Sequence, residues 1–206
     1  MGKATWGKAD QVLALIDDAR RRGLDVTFDQ YPYDASGTSF TGAIIPRWAQ
    51  DGGLAALAER LEDPEVMPSV RLEMLQNIKR RGGPDTLVVA LYPPNPALQG
   101  KNLLEVGAEL GLEPVDAAIA MQLAGGASLV SFSMKEADIV TIMRHPGGMV
   151  VSDGGLVSPG QGMPHPRYYG TFPRFLSHYV RDKGLMTIEE GIRRMTSAPA
   201  HRVGLW

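Results

Sequence analysis

The spacing of apolar residues predicts a helix followed by a strand at the start of the chain. In residues 8–22 apolar side chains recur at helical spacing, and Gly23 follows as a C-cap, which predicts an amphipathic helix. Residues 24–33 alternate between apolar and polar positions before Pro32, which predicts a strand running into a loop. This order of helix, glycine and short apolar strand is typical of α/β proteins with parallel strands.

The middle of the chain has mainly helical patterns, and alternation returns near Ser128. After a predicted loop at 34–40, the patterns predict helices over 52–63, 68–83, 102–112 and 113–126, with one strand over 86–92. Further on they predict strands over 127–134 and 148–155, and helices over 135–146, 171–184 and 187–205. The last helix starts with a Thr-x-x-Glu capping box at Thr187 and Glu190.

The predicted strands are too few for a complete parallel sheet. Parallel strands need covered faces and paired or protected edges, which barrels or flanking helices normally provide. Three clear strand signals and one in the middle segment do not close a barrel. The pattern therefore predicts an α/β chain from which part of the sheet is missing.

Composition narrows the classes of function. The chain has 206 residues, of which 44% are apolar and 21% charged, so disorder is excluded as the main state. A net charge of -2 argues against a strongly basic binder of nucleic acid or membrane surfaces. The absence of cysteine excludes disulfides, a thiolate nucleophile and cysteine-based zinc sites within this chain. No apolar run approaches the roughly 18 residues of a membrane span, so we expect a cytoplasmic protein without membrane or nucleic-acid partners.

Asp153 is the first candidate for chemistry. It lies at the carboxyl end of the predicted strand over 148–155, where parallel α/β folds place their active-site groups. A carboxylate beside two flexible glycines suits a general base or a metal ligand. An Asp-Gly pair is equally typical of a turn, so both interpretations stay open.

A proline-rich loop supplies the second set of candidates. His165 and Arg167 lie in it about a dozen residues after Asp153, and the planar guanidinium of arginine suits a carboxylate. Tyr31 and Tyr33 lie at the carboxyl end of the other predicted strand and could donate hydrogen bonds to a ligand. Alternatively, the proline-rich loop is a packed surface loop whose charges are solvated, and the two tyrosines are half-buried aromatic side chains.

The remaining histidines predict no metal site. His145 precedes a proline at a helix end and is expected to be structural, while His178 and His201 fall in the terminal helices. The chain has no H-x-H, H-E-x-x-H or similar ligand spacing, and no G-x-G-x-x-G or Walker pattern.

Four stretches of the sequence are similar to a known family. They are WGKADQVLALIDDARRRGLDVTFDQYPY, FSMKEADIVTIMRHPGGMVVSDGG, HPRYYGTFPRFLSHYVRD and GLMTIEEGIRRMTSAPAHRVGL. In content and order they resemble the N-acyl-D-amino-acid deacylases (D-aminoacylases) of the amidohydrolase superfamily. The resemblance covers the C-terminal half of the family's catalytic barrel only.

This resemblance implies an α/β fold, a partial TIM-type (β/α) barrel with an inserted small α/β domain. Residues 1–35 would be a barrel segment with the first helix and the seventh strand. Residues 36–127 would be the inserted small domain with connecting helices. Residues 128–206 would return to the barrel with the eighth strand and the terminal helices.

The resemblance also implies roles for the candidate residues. Asp153 matches the family's acid/base at the end of strand eight, and Tyr31 and Arg167 match positions that hold the substrate's carboxylate. His165 would support the loop of Arg167. The family uses zinc, but the His and Cys residues that bind it there are absent from this chain. The resemblance thus implies zinc as cofactor and no metal-ligating residue here.

Two main hypotheses and a third alternative follow. In the first, the chain is part of a zinc-dependent amidohydrolase that cleaves the N-acyl amide bond of N-acyl-D-amino acids, and is inactive alone. In the second, it is a truncated or split subunit whose role is association. Its partner would be a chain that carries the front half of the barrel, or further copies in an oligomer that covers its open edges. In the third, it is an independent α/β domain that binds a small acidic ligand through Arg167.

Overall fold

Two separate β-sheets organise residues 3–205, the part of the chain that this computed structural model describes. Strand β1 (Phe28–Gln30) pairs in parallel with β5 (Gly148–Val150). Strands β2 (Ala35–Ser39), β3 (Leu87–Leu91) and β4 (Ser128–Phe132) form an antiparallel sheet in the order β2-β4-β3. The predicted mixed α/β class is confirmed, and the strands of the described residues form no closed barrel.

Helices contact both sheets, and most of them lie where the apolar spacing predicts them. Their bounds are α1 Ala9–Arg21, α2 Phe40–Ala43, α3 Gly53–Glu62, α4 Met67–Arg81, α5 Leu103–Leu110, α6 Pro114–Leu123, α7 Glu136–Arg144, α8 Arg167–Arg174, α9 Ile188–Met195 and α10 Ser197–Arg202. A π-helix, Phe175–Asp182, continues directly from α8. No helix within residues 3–205 is long and apolar enough to cross a membrane.

The predicted loop at 34–40 is wrong, because residues 35–39 form β2. Its residues are small or polar, so the strand carries no apolar alternation that a sequence pattern could show. Pairing with β4 stabilises it, and the Ser39 hydroxyl then caps α2 by accepting from the Gly42 N–H at 3.1 Å. The strand predicted over 24–33 is shorter than expected, since β1 pairs only over three residues with β5.

The two terminal helices also differ from the prediction. The helix predicted over 171–184 already starts at Arg167 and becomes a π-helix after Pro173, which lacks the N–H of a regular α-helix. The helix predicted over 187–205 is divided into α9 and α10 at Thr196. At its start the Thr187 hydroxyl accepts from the Glu190 N–H, which is one half of the predicted capping box, while the Glu190 carboxylate pairs with Arg193 and Arg194 instead.

The described residues contain two larger hydrophobic cores. The larger packs one face of the three-stranded sheet against α2 to α6, with Phe40, Leu57 and Leu129 nearly inaccessible. The smaller joins α7, β5 and the π-helix through residues such as Val150 and Phe175. Because β4 shares a sheet with β2 and β3, this sheet extends past the predicted boundary at 127, and the division into three segments stays a prediction.

The second face of the three-stranded sheet is lined by small residues. Ala35, Ala90 and Val130 form a narrow buried cluster there, away from the larger core. The loop that follows Asp153 is attached to this face, because the Met163 N–H donates to the Ala90 carbonyl at 2.7 Å. The face thus supports the proline-rich loop that leads into α8.

Candidate functional site

Arg167 is the centre of the candidate site. It is the first residue of α8 and only 6% exposed. Its Nη2 lies 3.0 Å from Oδ2 of Asp153, and its guanidinium carbon lies 4.9 Å from the centre of the Tyr31 ring. Its Nε has no hydrogen-bond partner among residues 3–205. A buried guanidinium nitrogen without a hydrogen-bond partner is uncommon in folded proteins, and an acceptor on a bound anion could satisfy it.

Asp153 and Tyr31 reach this site because their strands are parallel neighbours. Tyr31 directly follows β1 and Asp153 lies shortly after β5, so both side chains leave the same edge of the two-stranded sheet. Asp153 has a φ of 52°, in the left-handed region that aspartate tolerates better than most residues. Its carboxylate is 64% exposed and accessible to a ligand.

His165 ties the start of α8 to β2. The residue is 1% exposed, and both ring nitrogens are used. Its Nε2 pairs with the Ala35 carbonyl at 2.9 Å and therefore carries the proton, while Nδ1 accepts from the Arg167 N–H at 3.0 Å. This arrangement requires a neutral ring, and burial lowers the pKa of His165 accordingly. His165 thus positions the backbone of Arg167.

The two tyrosines have different surroundings. Tyr31 lies under the Arg167 guanidinium, and burial raises the pKa of its hydroxyl, an effect that Arg167 partly offsets. Tyr31 therefore stays protonated at neutral pH and can donate a hydrogen bond. Tyr33 packs edge-on against His165 at 5.1 Å, and its hydroxyl donates to the Pro166 carbonyl at 3.3 Å. Tyr33 supports the loop rather than facing a ligand.

The sequence does not single out Arg174 and Gly37. The Arg174 Nε donates to the Pro32 carbonyl at 2.7 Å, and its guanidinium lies 5.2 Å from the centre of the Tyr33 ring, which fixes α8 to the end of β1. Gly37 faces Arg167, since a Cβ at Gly37 would lie 3.3 Å from Nη2 of Arg167. No sequence signal marks Gly37, because β2 resembles a loop in its residue types.

A second buried arginine shows how a structural guanidinium differs. Arg194 is 4% exposed, and its Nη1 donates to the carbonyls of Met143 and His145, both at 2.8 Å. Its Nε donates to Glu190 at 2.7 Å. Arg194 is thus engaged with fixed partners inside the fold, whereas Arg167 faces an exposed carboxylate and keeps an unpaired Nε.

Two of the other histidines lie beside acidic side chains. His145 Nε2 lies 3.0 Å from Asp17, and its Nδ1 accepts from the Gly147 N–H, in agreement with the predicted structural role. His178 is partly buried beside Glu136. In the described part of the chain, no group of three or more His, Cys, Asp or Glu side chains is placed to hold a metal ion. The residues present therefore do not fit a zinc site by themselves.

Comparisons with known proteins agree with the sequence resemblance, although no family model matches the chain. The N-acyl-D-glutamate deacylase of Alcaligenes xylosoxydans xylosoxydans is 33% identical, over 100% of this chain and 33% of that protein. The D-aminoacylase of the same organism is 32% identical, over 100% of this chain and 34% of that protein. The crystal structure of N-acyl-D-glutamate deacylase from Bordetella bronchiseptica, complexed with zinc and a phosphonate inhibitor, has 31% identity and a TM-score of 0.70, over 99% of this chain and 34% of that one.

The fold is similar to that of solved D-aminoacylases, which are described as a subset of amidohydrolases. Over its full length the chain is similar to N-acyl-D-glutamate deacylase and D-aminoacylase, in agreement with the resemblance to the C-terminal half of this family. The chain spans about one third of the length of the relatives that it matches. Zinc is present in a solved structure of such a relative, while the described residues of this chain supply no set of metal ligands.

Proposed function

We propose that the chain is part of a zinc-dependent amidohydrolase that cleaves the N-acyl amide bond of N-acyl-D-amino acids. The observation that carries the proposal is the buried Arg167 guanidinium, which has a free Nε and an exposed Asp153 carboxylate 3.0 Å from its Nη2. This pair supplies an anion-binding group and a proton acceptor at one place. The matching relatives, named as deacylases of such compounds, support the choice of substrate class.

Arg167 would bind the carboxylate of the substrate. A guanidinium pairs with a carboxylate through two parallel hydrogen bonds, which fixes its orientation as well as its position. The Tyr31 hydroxyl beside it would donate a further hydrogen bond. Holding the substrate in this way orients the amide for attack and lowers the entropic part of the barrier.

Asp153 would handle the proton of the hydrolysis. As a carboxylate it would accept a proton from the attacking water and pass it to the nitrogen of the leaving D-amino acid. The new C–O bond and the broken C–N bond then yield the free acid and the free amine. Because the described residues form no metal site, zinc would be held by residues outside this chain. The residues of this chain would bind the substrate's carboxylate and transfer the proton of the attacking water.

In fold terms, β1 and β5 would be the seventh and eighth strands of a TIM-type barrel. Residues 36–127, which contain β3 and most of β2, would form the inserted small domain. Parallel barrels carry their active sites at the carboxyl ends of the strands, where Tyr31 and Asp153 lie. We also propose that the protein acts in the cytoplasm.

The test is hydrolysis by the native protein. An antibody against this chain would identify and purify the polypeptide from its source, and release of free D-amino acid from N-acetyl-D-amino acids would be measured with and without zinc. We expect a polypeptide of more than twice 22.3 kDa that hydrolyses these compounds only with zinc, while the 206-residue chain alone is inactive. Robust zinc-dependent turnover by the pure 206-residue chain would contradict the division of the site between two parts.

The split-subunit hypothesis has one observation in its favour. Within residues 3–205, β1 and β5 pair only with each other, so both strands have an open outer edge. A native polypeptide of 22.3 kDa that copurifies with an H-x-H-bearing protein would support this second function. A stable monomer of that size would count against it.

A further inference from the structure

Gly154, the residue after Asp153, lies against the first turn of α8. A Cβ at Gly154 would lie 2.9 Å from the Tyr168 Cα and 3.1 Å from the Arg167 carbonyl oxygen. Carbon atoms in contact are normally about 3.5–4.0 Å apart, so no side chain fits between the two backbones. The loop that carries Asp153 therefore approaches α8 more closely than any residue other than glycine allows at this position.

The backbone conformation of Gly154 does not itself require glycine. Its φ lies outside the left-handed region, whereas Asp153 has a φ of 52°. The residue is also exposed to solvent. At a position whose backbone conformation alanine can adopt, replacing glycine normally stabilises a protein, because the unfolded chain loses freedom. The close approach to α8 is thus the reason for glycine at position 154.

The first turn of α8 is fixed by hydrogen bonds of its own. The Arg167 N–H donates to Nδ1 of His165, a residue that is bonded to β2, at 3.0 Å. The Tyr168 N–H donates to the His165 carbonyl at 3.1 Å. The Arg167 carbonyl accepts from the Thr171 hydroxyl at 3.0 Å. These bonds hold the backbone that a side chain at position 154 would meet.

The loop after β5 is attached less firmly. Within the described part of the chain, residues 152–157 make no hydrogen bond between backbone groups. The Ser152 hydroxyl accepts from the Gly154 N–H at 3.1 Å, which stabilises the turn internally. The loop contacts α8 through the pair of Asp153 and Arg167. If a side chain forced the two segments apart, the loop would therefore move and α8 would stay.

A displacement of Gly154 would move the Asp153 carboxylate, because the two residues are adjacent in the chain. The contact between Oδ2 of Asp153 and Nη2 of Arg167 is 3.0 Å long. A shift of about half an ångström would lengthen it to the limit of a hydrogen bond. The space at Gly154 thus determines how closely the proposed proton acceptor lies to the anion-binding group.

We propose that Gly154 is a positioning residue, whose missing side chain lets the loop touch α8 and so holds the Asp153 carboxylate beside Arg167. This role rests on the proposed function, because it concerns the placement of the acid/base relative to a substrate bound by Arg167. Gly154 acts through Asp153 and takes no part in the chemistry itself. In the sequence Gly154 and Gly155 are merely flexible neighbours of Asp153, whereas the structure gives them different surroundings.

Gly154→Ala and Gly155→Ala form a matched pair of variants. Both remove one glycine from the same loop, and neither residue has a φ in the left-handed region. A Cβ at Gly155 would meet the Tyr168 ring at 3.1 Å, and a ring can rotate away. A Cβ at Gly154 would meet backbone atoms, which cannot. Any effect of lost flexibility is therefore common to both variants, and displacement of the loop is specific to Gly154→Ala.

Kinetics of the native enzyme test the positioning role on the N-acetyl-D-amino acid that it hydrolyses fastest. We expect Gly154→Ala to lower kcat at least about tenfold, because the proton acceptor is misplaced. KM should rise less than about twofold, since Arg167 still binds the carboxylate. Gly155→Ala should retain the kcat of the wild type. A raised KM with an unchanged kcat, or equal kcat values in both variants, would overturn the proposal.

Ser152→Ala gives a second result if Gly154→Ala does not fold. It removes the hydroxyl that accepts from the Gly154 N–H and adds no side chain towards α8. We expect kcat to fall about threefold or more with an unchanged KM, because the turn that carries Asp153 loses its internal hydrogen bond. An unchanged kcat in Ser152→Ala beside an unfolded Gly154→Ala would overturn the positioning role.

A double-mutant cycle on the 206-residue chain tests the same contact without activity. By calorimetry, we expect Asp153→Asn to raise the affinity of the wild type for N-acetyl-D-leucine by a factor at least about twice that in Gly154→Ala, whose carboxylate lies farther from Arg167. The factor should be the same in the wild type and in Gly155→Ala. Equal factors in all three backgrounds, with binding that depends on Arg167, would overturn the positioning role and leave the proposed function in place. No Arg167-dependent binding by the wild type would overturn both.

Discussion

The Nη2 atom of Arg167 lies 3.0 Å from Oδ2 of Asp153, and the two side chains differ sharply in exposure, 7% for the arginine and 64% for the aspartate. The proposed carboxylate-binding group is therefore already paired with the proposed acid/base. An incoming carboxylate meets this negative charge beside the guanidinium. If the proposed function holds, this contact couples the binding of the substrate's carboxylate to the position of Asp153.

Replacing Asp153 by asparagine separates binding from chemistry. We expect Asp153→Asn to tighten binding of N-acetyl-D-leucine to the 206-residue chain about threefold to tenfold, because an anionic competitor at Arg167 is removed. Asparagine tolerates the φ of 52° at this position, so the backbone should be retained. In the native enzyme the same change should abolish hydrolysis.

Asp182→Asn is the matched control for this change. Asp182 is paired with the exposed Arg181, outside the candidate site. Asp182→Asn should leave the affinity for N-acetyl-D-leucine, measured by calorimetry, unchanged. Weaker binding by Asp153→Asn would indicate that Asp153 holds Arg167 in place rather than competing with the ligand.

Arg167→Lys tests the need for a planar guanidinium. A lysine retains the charge but cannot form two parallel hydrogen bonds, so we expect affinity for N-acetyl-D-leucine to fall about tenfold or more. Arg71→Lys makes the same change in a two-bond ion pair with Asp116 between α4 and α6, and should leave affinity unchanged. Equal affinities of wild type and Arg167→Lys, measured by calorimetry, would show that only the charge matters.

The neutral, buried His165 predicts a loss of stability at mildly acidic pH. Burial lowers the pKa of His165 in the folded state below its ordinary 6.5, so the unfolded chain binds more protons. Its contribution to stability is present above pH 6.5 and is lost as the pH falls through the folded-state pKa. We expect His165→Gln to cost about 1–3 kcal/mol at pH 8, because two buried hydrogen bonds are weakened.

The free energy of unfolding of His165→Gln should approach that of the wild type as the pH falls. The difference in free energy of unfolding, measured by urea titration, should shrink from pH 8 to pH 5.5, since only the wild type carries this titrating ring at position 165. A difference that stays constant over this range would contradict a neutral, buried His165.

Glu190 predicts a second pH dependence at lower pH. Hydrogen bonds from Arg193, and further ones from Arg194, lower the pKa of Glu190 to about 2, although burial acts in the opposite direction. Its contribution is therefore present above the ordinary pKa of 4.5 and is lost as the pH falls towards 2. We expect Glu190→Gln to lower the free energy of unfolding by about 1–3 kcal/mol at pH 7, because it leaves the buried Arg194 without its carboxylate.

Urea unfolding followed by circular dichroism measures this effect. Glu59→Gln, at an exposed position on α3, is the matched control and should change stability by less than about 0.5 kcal/mol. Equal stabilities of Glu190→Gln and the control at pH 7 would show that the Glu190 pairs contribute nothing.

Local patterns predicted much of the fold, and pairing between distant segments set the rest. Helices such as α1 and α4 follow from apolar spacing, which is a property of neighbouring residues. Strand β2 was missed because its small and polar residues become a strand only when β4 pairs with them. The π-helix after α8 likewise has no signature in the periodicity.

The candidate site could likewise be predicted only in part from the sequence. Strand ends, the proline-rich loop and the family resemblance made Asp153, Arg167, Tyr31 and His165 candidates, and the structure brings these residues together. The sequence could not show that Arg167 is buried with an unpaired Nε, nor that a glycine in β2 makes room for its guanidinium. Both facts depend on the packing of β2 against the loop before α8.

The most direct test of the central claim is the Nε–Hε signal of Arg167 in an NMR titration with N-acetyl-D-leucine. The signal is assigned by its disappearance in Arg167→Lys. We expect a saturable downfield shift as the carboxylate binds the guanidinium, and no shift with the corresponding amide, N-acetyl-D-leucinamide, which has no carboxylate. An unmoved Arg167 signal, or the same shift with the amide, would contradict carboxylate binding at this site.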